Sequence, residues 1–313
     1  MIEKVMRAVK SNNKKRGRNI TIGAVVGMLL SCSVVIKADV IGLEIGKEND
    51  AIIFKDGNGN KFDPKRSEGN PYPDNKWNIE KNTYINNSTI SGEATSPDIG
   101  IGIKLSGKLK VNLTNNGTII GSSSGSYFGY GIRIDSLTGD ITNNGTIIGS
   151  SSSFSSGSGI DITSLTGNLA NNGVIKSSGS GIFIESLKVN LTNNGTIIGS
   201  SSGSYFGYGI EILTLTGNLT NTGVVYGKTS AINNVRTISK AHNYGLLVSS
   251  TGETVLNTSL TTNNGLIFKV NSGTYTATSD DFKEFGKTYN DIYAVMGYEK
   301  KKMEVENLIL LNQ

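Results

Sequence analysis

The sequence predicts an all-β chain: a right-handed parallel β-helix, a solenoid of about eight coils behind an N-terminal cap. Three observations predict it. From about residue 82 to 275 the chain repeats itself. The fixed part of each repeat alternates apolar and polar residues with period two. No stretch of 82–270 carries a helical period of 3.6.

The repeat is explicit. Val111–Ile132 (VNLTNNGTIIGSSSGSYFGYGI) recurs letter for letter as Val189–Ile210, and a shorter unit runs around it. That unit is an Asn-rich turn followed by a small residue and an apolar pair, as in Asn116-Gly117-Thr118-Ile119 and Asn144-Gly145-Thr146-Ile147. Successive turns are 29, 28, 28, 22, 28, 22 and 20 residues apart. A second landmark explains the unevenness: a small residue followed by isoleucine at Gly131-Ile132, Gly159-Ile160, Gly181-Ile182, Gly209-Ile210 and Ala231-Ile232. From each to the next turn glycine is always 14 residues, whereas from turn glycine to landmark is either 14 or 8. One side of the coil therefore accepts a six-residue insert, rich in Ser, Gly and aromatics (Gly121–Tyr130, Gly149–Ser158, Gly199–Tyr208). Insertions confined to one place per repeat become loops on one face of a solenoid.

The fixed part reads as strand. Ile132 and Ile134 alternate with Arg133 and Asp135, Ile160 and Ile162 flank Asp161, and Ile210 and Ile212 flank Glu211. Leu-Thr-Gly marks the next corner, and an Asn-Asn run returns to the turn. Asn at one corner of successive coils can bond backbone in a tight bend, with its amide bonded up and down the stack. The Asn run therefore needs no ligand to account for it.

The flanks differ. Residues 1–18 hold seven Lys and Arg against Glu3, and the uncharged apolar stretch Ile20–Ile36 and small Ala38 follow. A basic segment, an apolar segment and a small residue at the cut describe a signal peptide over 1–38. As a membrane anchor the apolar stretch is marginal, being interrupted by Gly23, Gly27 and three hydroxyl residues. Removing 1–38 takes eight of the 30 basic residues and one of the 25 acidic ones, leaving a net charge of −2. No basic surface for nucleic acid is then expected. The only cysteine, Cys32, lies in the leader, in a context loosely like a lipoprotein cleavage box. Residues 39–81 carry Pro64, Pro71, Pro73 and Trp77 and are expected to cap the open first turn, with a hairpin formed by Ala51–Phe54 and Lys61–Asp63. Asp56, Asn58 and Asn60 between those strands are spaced like a calcium loop. Lys61 stands where that pattern demands glycine and no glutamate closes it, so a tight turn is the reading. Residues 276–313 lose the repeat and form a C-terminal cap or truncated tail, with helical composition over 280–287 and 299–311.

The basic leader (MIEKVMRAVKSNNKKRGRNITIGAVVGMLLS) followed by Asn-Asn-Gly-Thr-Ile-Ile-Gly coils resembles the passenger region of Gram-negative autotransporter proteins, most like fusobacterial members. The resemblance implies a surface-exposed rod, exported through an outer-membrane translocator barrel and often acting in adhesion. It transfers no functional residue. The chain departs from the family in that only some 40 residues follow the last coil, so the translocator barrel is expected elsewhere than in this chain. The expected localisation is the cell surface or extracellular space, or the periplasm where no translocator is available.

Chemistry-bearing residues are sparse. One histidine, His242, and one cysteine leave no Cys/His zinc site and no Cys–His pair, and no cofactor or metal is expected. Between 112 and 223 only eight side chains are charged. Asp135, Asp161, Glu185 and Glu211, with Arg133 nearby, fall beside the isoleucine landmark and form the one candidate acid column. The loop aromatics are the preferred ligand-binding candidates: Tyr127, Phe128 and Tyr130, repeated as Tyr205, Phe206 and Tyr208, with Phe154 between. Exposed aromatics among Ser and Gly stack on sugar rings or dock a receptor. The function expected is therefore a non-enzymatic surface β-helix, an adhesin or surface-structure component, with a host-cell receptor or glycan as partner. The alternatives are a carbohydrate-active β-helix (lyase or glycosidase-like) and a non-functional truncated passenger fragment.

Overall fold

The computed structural model describes residues 39–95, 98–124, 128–152, 157–201, 207–269 and 274–276. The leader and the helical segments expected over 280–287 and 299–311 lie outside the described residues. Among the described residues the chain is all-β, without helix.

Each turn of the solenoid contributes a strand to three parallel ladders, and each ladder is one wall. The first wall stacks Asp39–Glu48, Ile99–Leu109, Gly129–Leu137, Ser158–Leu165, Ile182–Leu187, the first halves of Tyr208–Asn221 and Ser230–Asn243, and Val255–Leu256. The second stacks Thr83–Asn86, Asn112–Asn115, Ile141–Asn143, Leu169–Asn171, Leu191–Asn193, the second halves of the two long strands, and Thr262–Asn263. The third begins at Thr89–Ala94 and Thr118–Ser123 and continues through Thr146–Ser151, Val174–Ser177, Thr196–Gly199, Val224–Gly227 and Leu246–Ser249 to Leu266–Lys269.

Register follows the repeat residue for residue, so like stacks on like. Ile132, Ile160, Ile182, Ile210 and Ile232 form one inward column of the first wall, Leu113, Ile141, Leu169, Leu191 and Leu219 one of the second, and Ile119, Ile147, Ile175, Ile197 and Val225 one of the third. All are at most 1% exposed and belong to a single core. Burying each such side chain contributes about 1.5–3 kcal/mol.

The bend between the second and third walls is polar, and hydrogen bonds hold it together. From Asn86 to Asn243 the first Asn of each bend is buried and donates to the Oδ1 of its counterpart one turn later. The series runs Asn86 to Asn115, Asn143, Asn171, Asn193, Asn221, Asn243 and Asn263, at 2.7–2.8 Å per link. The same Nδ2 reaches a carbonyl in its own bend and one in the next turn, as Asn143 does to Gly145 at 3.2 Å and Val174 at 3.3 Å. The second Asn of the bend builds an exposed ladder running the opposite way. Asn194 donates to Asn172, Asn172 to Asn144, Asn144 to Asn116 and Asn116 to Asn87, each at 2.9 Å. Glycine must follow, because a Cβ on Gly145 would sit 2.0 Å from the Gly117 carbonyl oxygen. Ser88 takes that place only in the first turn, which has no earlier turn beneath it.

The stack reaches further toward the N-terminus than the letter repeat does. Asp39–Glu48 pairs parallel with Ile99–Leu109, so it is already the first strand of the first wall. Its outer edge is closed by Ala51–Lys55, antiparallel across the two-residue turn Asn49-Asp50, whose φ values of 46° and 66° are those of a tight hairpin. Lys61–Phe62 pairs with that strand in turn, which is the expected hairpin. The loop between them is a turn: Asp56 Oδ1 accepts from Asn58 N at 2.9 Å and Asn60 N at 2.8 Å, so the carboxylate is used within the loop. Lys76–Asn78 closes the edge of the second wall against Thr83–Asn86. Phe54, Trp77 and Tyr84 pack together over the open core, with centroids 5.2 and 5.5 Å apart.

Asn75 completes the cap. In later turns the backbone N–H groups of the bend donate to the carbonyl of the previous turn's inner Asn, as Asn144 and Gly145 do to Asn115 at 2.7 and 3.0 Å. The first bend has no such carbonyl, and the Asn75 Oδ1 takes its place, accepting from Asn87 N at 2.7 Å and Ser88 N at 3.1 Å. The Asp74 carbonyl likewise receives the Asn87 Nδ2 at 2.8 Å, where the outer ladder would otherwise continue. One side chain thus stands in for a whole preceding coil.

Two stability predictions follow from these bonds. Asn171→Ala takes the donor from the buried Asn193 Oδ1 and from the Gly173 and Thr196 carbonyls, and is expected to cost about 2–5 kcal/mol, against less than about 1 kcal/mol for Asn172→Ala, as read from urea midpoints. Asn75→Ala is expected to raise hydrogen exchange across 83–94 while leaving 210–225 unchanged; uniform protection in both segments would remove the stand-in role.

Candidate binding edge

The three inserts leave from the same place, the edge where the third wall hands over to the first. The chain is narrow there. A Cβ on Gly149 would lie 1.8 Å from the Ser158 carbonyl oxygen, so the two walls meet backbone to backbone. Strands on both sides of the inserts keep register, with Ser150 opposite Ser122 and Tyr130 opposite Ser158. The first two inserts are therefore one strand spacing apart, and the third lies roughly 14 Å from the first.

Of the aromatics expected to bind, Tyr127, Phe154, Tyr205 and Phe206 lie outside the described residues. Phe128 is 36% exposed at the loop base. Tyr130 and Tyr208 are not loop residues: Tyr130 is the second residue and Tyr208 the first of a strand of the first wall, and they are only 9% and 6% exposed. Burial raises both phenols above their ordinary range. Phe128 stacks on Tyr130, with centroids 5.7 Å apart and planes at 17°, and the Arg133 guanidinium carbon lies 5.2 Å from the Tyr130 centroid. Tyr130 thus supports one exposed ring and one cation.

The expected acid column resolves into two. Arg133, Asp161, Phe183, Glu211 and Asn233 stand opposite one another on successive strands of the first wall. Asp135 and Glu185 stand two residues further along their strands, and Asp135 Oδ2 accepts from Gly107 N at 2.9 Å. Asp161 and Glu211 are two strands apart, about 10 Å by strand spacing, with Phe183 between them. Burial pushes the Asp161 carboxyl up to about 6; Arg133 opposes this, and Glu185 and Asp135 add to it. Burial also raises Glu211, against hydrogen bonds from Ser180, at 2.8 Å, and Asn233. Phe183 and Ser180 were not singled out from the sequence. Their signal was the landmark register, since Ser180 is two residues before Ile182 as Tyr130 is before Ile132.

His242 sits on the second wall opposite Thr220 and Thr262, its ring stacked on the exposed Tyr244 at 6.4 Å and its Nδ1 without a hydrogen-bond partner. No acid faces it in that column. Among the described residues no three His, Cys, Asp or Glu side chains gather as metal ligands.

The Asp161 environment has a measurable consequence. Its folded pKa lies above the unfolded value near 3.9, so the folded state holds the proton between about pH 4 and 6. Stability therefore falls as pH rises through that window, and the penalty is complete above it. Asp161→Asn is expected to gain on the order of 2 kcal/mol at pH 7.5 and to match the parent at pH 3.5 in denaturant titrations. An equal difference at both pH values would contradict this.

No known protein family, curated protein or solved structure matches this chain.

Proposed function

We propose that the protein is an exported, non-enzymatic surface rod of the autotransporter-passenger type, and that the loop-bearing edge is its contact surface for a glycan or cell-surface receptor. The observation that carries this is that the strands bracketing the three inserts stack in register along one edge, with the exposed Phe128 at the base of the first insert and an outer column of Arg133, Asp161, Phe183 and Glu211 beside it. Such a surface offers flat rings and hydrogen-bonding groups at fixed spacing, which suits a row of sugar residues. In this reading the solenoid is right-handed, as strand–crossover–parallel strand connections overwhelmingly are, with eight coils matching the eight parallel strands of the third ladder. The leader directs export, and an outer-membrane translocator barrel is the expected transport partner.

A second reading has one observation behind it. Asp161, protonated to about pH 6, and Glu211 stand at a separation near that of inverting glycosidases, as a carbohydrate-cleaving site requires. Phe183 fills the column between them, where such a mechanism places its water, and this favours binding over cleavage.

Binding of the purified chain to immobilised glycans and to host cells tests the proposal. The variant Tyr127→Ser, Phe128→Ser, Tyr205→Ser, Phe206→Ser is expected to lose at least about tenfold in affinity, the scale of one or two aromatic contacts. Undiminished binding would move the contact surface elsewhere. Polysaccharide cleavage that disappears in Asp161→Asn, Glu211→Gln would replace the binding reading with the second.

A further inference from the structure

The dipeptide Asn-Gly occurs six times in the chain. Five copies are the outer Asn of a bend with its glycine, at 116–117, 144–145, 172–173, 194–195 and 264–265, and the sixth is Asn58-Gly59 in the cap. Asn-Gly is a chemically weak pair, because glycine has no side chain to shield its nitrogen from the neighbouring carboxamide. That nitrogen can attack Asn Cγ. The new N–Cγ bond closes a succinimide ring, the Cγ–Nδ2 bond breaks, and the glycine N–H proton leaves with Nδ2 as ammonia. Water then opens the ring at either carbonyl, giving aspartate or isoaspartate. All six asparagines are exposed, so solvent access does not distinguish them.

Room to react does. Ring closure requires the backbone between Asn and Gly to rotate and the glycine peptide to swing with it. In the bends this motion is blocked twice. Each glycine N–H donates to the inner Asn carbonyl of the turn before, at 3.0–3.1 Å for Gly117, Gly145, Gly173, Gly195 and Gly265. A Cβ on any of these glycines would lie 2.0–2.1 Å from a carbonyl oxygen of that same turn, so the peptide has nowhere to go. Gly59 has neither restraint. Nothing lies within 4 Å of a Cβ placed on it, and its N–H donates to the Asp56 carbonyl, at 2.9 Å, inside one exposed turn. Opening that turn disturbs no neighbouring coil, whereas opening a bend breaks the buried ladder.

We propose that Asn58 is a site of spontaneous deamidation through Gly59, and that the preceding turn of the solenoid protects the five bend pairs from the same reaction. The product places a second carboxylate beside Asp56, or adds a backbone carbon to the turn joining Ala51–Lys55 to Lys61–Phe62. Chemical ageing therefore begins in the hairpin that closes the first wall, while the ladder keeps its amides. Asn264 separates the clamped glycine from the ladder as the cause of protection. Tyr244 holds the outer position one turn earlier, so Asn264 has no asparagine to donate to, yet its glycine is clamped like the others.

Peptide mapping by mass spectrometry, after prolonged incubation of the folded full chain in mildly alkaline buffer, tests this. Aspartate and isoaspartate at position 58 are expected to exceed those at each of the five bend sites, Asn264 included, by at least about tenfold, since reaction in a bend waits on local unfolding. The same incubation in concentrated urea is expected to bring all six sites within a few-fold of one another. An intact Asn58 in the folded chain, loss of Asn264 or any other bend asparagine at a rate comparable to Asn58, or bend sites that stay slow in urea would each overturn the inference.

Discussion

The structure depends on the hydrogen bond that each inner asparagine makes to the same asparagine one turn later. A solenoid must turn its backbone inside the molecule, and every N–H and C=O in that bend needs a partner. The inner Asn supplies them: its Nδ2 reaches two carbonyls and the next Oδ1, while its own Oδ1 accepts from the turn before. A half-made chain of this kind would be worse than none, since an unpaired buried amide costs more than a paired one gains. The ladder therefore fixes where each bend occurs. That in turn fixes register, and register places Ile on Ile in all three walls. The opposed direction of the outer ladder lets the paired amide dipoles cancel along the rod.

Function in this account is a consequence of register. A side chain's position along the rod is set by which turn it is in, and its face by its place in the turn. Six-residue inserts added at the third-to-first-wall edge must then align. So must the outer column that gathers Arg133, Asp161, Phe183 and Glu211, residues as many as 78 apart in sequence. With few charges nearby, the recognition proposed for this edge would rest on shape, aromatic stacking and hydrogen bonding, not on long-range steering. The buried Tyr130 serves as a foundation for Phe128 and Arg133.

Much of this was legible in the sequence, because repeats turn local letters into global geometry. The strands, the Asn bends, the six-residue inserts and their common edge all follow from two landmarks and two spacings. What was not legible lies where the repeat stops. Asp39–Glu48 lacks the Asn-Gly signature yet is the first strand of the stack, since pairing with Ile99–Leu109 needs only its Leu43 and Ile45 facing inward. Asn75 gives no sign in sequence that it substitutes for a coil. Tyr130 and Tyr208 read as loop residues because the insert was counted through to the landmark, while the strand begins before it.

Side-chain amide hydrogen exchange, followed by NMR, measures the central interaction directly. The account predicts that the Nδ2 protons of Asn143, Asn171, Asn193 and Asn221 exchange as slowly as the backbone amides of the neighbouring strands, while those of Asn144 and Asn172 exchange at rates near those of free asparagine. Inner and outer asparagines exchanging alike, at the fast rate, would show that the buried ladder does not hold the bends.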